Sequence, residues 1–138
     1  MIEVDARDLV EMPSTLSFLE TVDLVERAIQ AAGLSIFFRI DHAGAARSMG
    51  LDMPPTVVIF YGSPRGGTPL MLQAPSAALD LPFRVLVREA TSGEVLVAFH
   101  PIRRLLERAG VPAEAAARVE PGQNIIVEAL RAGPKMRS

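Results

Sequence analysis

The chain has no cysteine, no tryptophan, only two histidines and no apolar run long enough to cross a bilayer. Each absence removes a class of function. Without cysteine there is no disulfide, no thiolate nucleophile and no cysteine-built metal site, and the composition fits a reducing compartment. Aromatic residues make up 5% of the sequence, too few for the stacking platforms that hold single-stranded nucleic acid. A net charge of −2 and an isoelectric point near 5.7 argue against phosphate-backbone binding, so no nucleic-acid partner is expected. The opening stretch MIEVDARDLVEM is too acidic for a secretory signal. The expectation is a cytoplasmic protein without membrane contact.

What the chain does carry is apolar surface. Hydrophobic residues reach 49% and the mean hydropathy is +0.28. A length of 138 residues suits one domain with a sizeable core. The simplest outlet for surplus apolar surface is a second copy of the same chain, so a homodimer is expected.

Periodicity supplies the elements. Phe18, Val22, Val25, Ile29 and Ala32 recur at helical spacing; Ser17 with Glu20 fits a capping box, and Gly33 supplies the stop. LSIFFRI and MPPTVVIFYG read as strands. The run Val57 to Tyr61 has no polar break, which predicts a central strand covered on both faces. DHAGAARSMGL between them reads as a short helix ended by Gly50. TPLMLQAPSAALDLP divides into two helical pieces at Pro75, and FRVLVREATSGEVLVAFHP reads as a hairpin turning at Thr91-Ser92-Gly93. The remainder is helical in pieces, with starts favoured near Pro112 and Gly122 and a frayed end. The fold class expected is α+β: a two-layer sandwich of a mostly antiparallel sheet with helices packed on one face.

Alternation sorts the hairpin by face. Phe83, Val85 and Val87 match Val95, Val97 and Phe99 as core. The opposite side carries Arg84, Leu86 and Arg88 with Leu96, Ala98 and His100, and Arg39 is expected to join it. Such a face suits a dimer interface, a cleft for an anionic ligand, or a solvated surface covered by arginine stems.

Three stretches hold candidate site residues. In YGSPRGGTPLM, Gly62 and Gly67 permit close approach, Thr68 can cap a helix that starts at Pro69, and Arg65 stands near free N–H groups able to receive an anion. No lysine follows the glycines, so this is not a nucleotide phosphate loop. In IDHAGAA, Asp41 reads best as a helix cap, while His42 stays open as a general base or ligand. In ALDLPFRV, Asp80 reads as a turn-closing or ligand-orienting carboxylate. No metal site is expected, no cofactor is indicated, and no catalytic triad or paired-carboxylate pattern stands out.

Taken together, I-D-H, F-x-G-x-P, G-T-P-L-M and A-L-D-L-P appear in order as RIDHAGAA, VVIFYGSPRGGTPLM and ALDLPFRV. This set resembles the domain of unknown function 302 family, small domains widespread in bacteria and archaea. The resemblance covers about residues 12–101, with 102–133 left as a helical extension of the same single domain, 1–138. It implies a compact α+β domain commonly found as a homodimer, with no established reaction, substrate or cofactor. The residues it shares are Asp41, His42, Gly62, Pro64, Thr68, Pro69, Asp80 and Pro82. They mark a candidate site region, provided that they converge in space. The expected function is non-catalytic binding of a small anionic molecule by a homodimer; the alternatives are an enzyme using His42 as base or metal ligand and a structural or regulatory dimer without ligand.

Overall fold

The computed structural model describes residues 4–133; the end expected to fray lies outside them. Among the described residues, five strands form one sheet: β1 (Val10–Ser14), β2 (Ser35–Asp41), β3 (Thr56–Gly62), β4 (Phe83–Glu89) and β5 (Val95–Phe99). Their order is β1-β5-β4-β3-β2, and every pairing is antiparallel. The helices are α1 (Phe18–Ala31), α2 (His42–Ser48), α3 (Pro64–Gln73), α4 (Ile102–Arg108), α5 (Ala113–Val119) and α6 (Pro121–Ala132), with a 3-10 turn at Pro75–Leu79. This is the expected α+β sandwich.

The capping box at Ser17 and Glu20 starts α1 as its sequence requires. The first helix and the last then lie side by side over the sheet. Val25 and Ile29 of α1, Ile126 of α6 and Leu106 of α4 share one core with Ile59, Tyr61, Val85, Val87 and Val97 of the sheet. The C-terminal helices are therefore part of the central packing. Val127 of α6 also covers Val10 and Phe99 near the β1 edge.

β1 has no counterpart in the sequence reading. It is an edge strand, five residues long, and includes Pro13, which cannot donate to a ladder. It owes its place to pairing with β5, where Val10 lies opposite Phe99 and Met12 opposite Val97.

The far face of the sheet differs from expectation in two ways. β3 is covered by helices on one side only, so Val58 and Phe60 are half-buried rather than enclosed. Arg39 lies opposite Ile59 on the helix side and pairs with Glu26 of α1. A register shift between Ile36 and Phe38 breaks the simple alternation. Phe38 and Ile40 consequently join Phe60 and Val58 on the uncovered face.

Candidate functional site

The stretch YGSPRGG ends β3 and opens α3, but the helix starts at Pro64, four residues before Thr68. Proline fits a first helical position because its missing N–H has no partner there anyway. Ser63 is the cap. Its hydroxyl accepts from the Arg65 N–H at 3.3 Å, and its carbonyl accepts from the N–H groups of Gly66 and Gly67, each at 3.0 Å. Thr68 and Pro69 lie inside the helix, not at its cap. The donors expected to receive an anion at this helix start are already occupied, so an anion here must be met by side chains.

Beside this corner lies a cavity of about 400 Å³. Gly62, Gly66, Gly67 and Thr68 form one side of it, and Leu81, Pro82 and Phe83 form another. Val119 and Arg118 at the end of α5, with Gly122 of α6, close it, while Phe37 and Leu34 reach in from the β2 side. The lining is almost entirely hydrocarbon. Arg118 is its one charged residue and makes no ion pair among the described residues.

One wall is held by a buried phenol. Tyr61 donates to the Gly122 carbonyl at 2.8 Å and stacks on Phe83 with 5.0 Å between ring centroids. Burial pushes its hydroxyl well above the ordinary tyrosine range, so it remains a neutral donor.

The candidate residues fall into separate places. Gly62, Gly67 and Thr68 line the cavity. Arg65 is exposed on the first turn of α3 and is not part of the lining; Asp80 ends the 3-10 turn just ahead of Leu81, its N–H donating to Ala77. Asp41 and His42 are elsewhere. Because β2 runs antiparallel to β3, Asp41 lies opposite Val57 while Ser35 lies opposite Gly62. The two ends are roughly 17 Å apart at the rise of an extended strand. Asp41 caps α2 by accepting from the Gly44 N–H at 2.9 Å, and His42 is the exposed first residue of that helix. The expected convergence of all these residues is therefore not what the strand register allows.

The family model described as "Domain of unknown function DUF302" matches residues 10–130. The chain belongs to the DUF302 family. The match takes in α4, α5 and most of α6 along with the sheet, in keeping with their shared core. A crystal structure of an uncharacterized conserved DUF302 protein from Bacillus stearothermophilus has the same fold, with a TM-score of 0.78 over 91% of this chain and 98% of that one, at 17% identity. Among curated proteins, the DUF302 domain is 40% identical over 87 residues to proteins named fluoride-specific ion channel FluC 1 from Brucella suis and from Brucella abortus. That stretch is 63% of this chain but 34% and 32% of those proteins, so the chain spans about a third of their length. No helix among the described residues is long and apolar enough to cross a membrane.

The residues that sequence reasoning missed are mostly apolar: Phe37, Met71, Leu81, Phe83 and Val119, together with Arg118. Their only signal is indirect. Two adjacent glycines inside a helix, at Gly66 and Gly67, are an unfavourable choice that needs a reason.

Proposed function

We propose that this DUF302 domain binds a small anionic molecule without transforming it, and does so as a homodimer in the cytoplasm. The observation behind the binding reading is the cavity beside α3, which gathers Gly62, Gly67 and Thr68 with Arg118. Its volume is that of an ordinary small-ligand site, and such sites are mostly apolar with a few polar groups. An enzyme working through His42 has less behind it, since His42 lines no part of this cavity. The cytoplasmic setting rests on the cysteine-free composition.

Thermal unfolding with a panel of phosphates, carboxylates and fluoride tests the reading; fluoride is included because the Brucella relatives carry it in their names. A ligand at a hundred times its Kd adds about 2.7 kcal/mol, so at least one member should raise Tm by several degrees. A panel without any shift contradicts the proposal.

The dimer reading rests on the uncovered sheet face. Phe38 and Phe60 stack there with centroids 4.4 Å apart, and Arg84 sits 5.5 Å over the Phe60 ring. Val58, Leu86 and Leu96 are half-buried neighbours, and Arg88 pairs with Glu11 across the face at 3.3 Å. An antiparallel sheet with a wet face ordinarily turns polar residues outward. A contiguous apolar patch rimmed by charge suits a partner surface instead. Sedimentation should give a dimer for the native chain and a monomer for Phe60→Glu. A native monomer, or an unaltered dimer in the variant, removes this placement.

A further inference from the structure

Two glycines in α3 have no structural need to be glycine. Neither Gly66 nor Gly67 has a positive φ. A β-carbon at Gly67 would stand 3.7 Å from Leu81 Cδ1 and 3.9 Å from Met71 Cε, and one at Gly66 would stand 3.9 Å from Val119 Cγ1. These are ordinary contacts, so packing does not forbid a side chain. Yet glycine is a poor helix former, costing up to about 1 kcal/mol against alanine, and here two stand together in the first turn of α3. What the two glycines give in return is open space on the cavity side.

The walls around that space decide what can fill it. Leu81, Met71, Phe83 and Val119 offer carbon, and a bare inorganic anion set against them would lose water without hydrogen bonds in exchange. A purely apolar occupant would leave Arg118 unused at the cavity's edge. Resting on the binding reading above, we infer that the ligand is an amphipathic monoanion, such as a medium-chain carboxylate. Its apolar body lies against Gly66, Gly67, Leu81 and Phe83, and its charged end pairs with the Arg118 guanidinium, whose planar fork matches a carboxylate.

Calorimetric titration with decanoate, 1-decanol and inorganic phosphate tests this on the native chain and two variants. Decanoate should bind the native protein more tightly than decanol, and phosphate should not bind. Gly67→Leu fills the cavity and should abolish decanoate binding. It should fold, because leucine is the better helix former; if its melting temperature falls, Gly66→Leu enters the same space from the Val119 side and replaces it. Arg118→Gln should weaken decanoate by about three- to tenfold, as suits an exposed charged partner, and leave decanol unchanged. Equal binding of decanoate and decanol, untouched by Arg118→Gln, overturns the charged end. Phosphate binding without decanoate overturns the amphipathic ligand but keeps an anion site. No binding by any of the three overturns the amphipathic ligand, and a silent ligand panel besides overturns the binding reading on which it rests.

Discussion

Replacing Gln123 with leucine is expected to destabilise the domain by about 2–4 kcal/mol, the sum of two buried polar groups left without partners. Gln123 is 4% exposed and sits on α6. Its Oε1 accepts from the Ile102 N–H at 2.9 Å, and its Nε2 donates to the His100 carbonyl at 2.9 Å. Helix α4 starts after Pro101, which has no side-chain group to cap it. Gln123 therefore performs from another helix the duty that serine or aspartate performs locally. Leucine has a similar volume but neither hydrogen-bonding group. Urea unfolding measures the loss; a change under 1 kcal/mol would mean that water reaches both backbone groups and that the amide is not the link between α6 and the β5–α4 junction.

The second large effect is at Gly122, where alanine should cost about 1–3 kcal/mol through overpacking. The added carbon would stand 2.5 Å from Phe83 Cζ and 2.6 Å from Cε2. Phe83 is 8% exposed and stacked on Tyr61, and the open space beside its ring is the cavity that it lines, so a displaced ring narrows that cavity. Gly122→Ala should thus lose stability and ligand together. The same change at Gly67 should do the opposite for stability, since there the new methyl meets only ordinary contacts and the helix gains. Similar stabilities for the two variants would contradict the distinction between a glycine that packing demands and one that leaves room.

The legible parts of the fold were those with a local cause. The α1 capping box, the break at Pro75 and the hairpin from Phe83 to Phe99 depend on nearby residues and stand where the sequence puts them. β1 was not legible, because a short edge strand with an internal proline gets its structure from β5 rather than from itself. The start of α3 was misplaced because Thr68-Pro69 imitates the cap and first position that Ser63-Pro64 actually supply. Of the residues lining the cavity, turn chemistry singles out Gly62, Gly67 and Thr68. It does not single out Arg118 and Phe83, since only tertiary packing brings α5 and β4 to the corner of α3. Asp41 and His42 stood beside them in a shared motif set, but the antiparallel register of β2 on β3 carries them to the other end of the sheet.

The ligand is placed in the cavity beside α3, and amide spectra of the isotopically labelled protein during a decanoate titration read that placement directly. Shifts should concentrate at Gly62, Ser63, Gly66, Gly67 and Gly122, with His42 and Gly44 unmoved. Shifts centred on His42 and Gly44, or a spectrum unchanged at saturating decanoate, would contradict it.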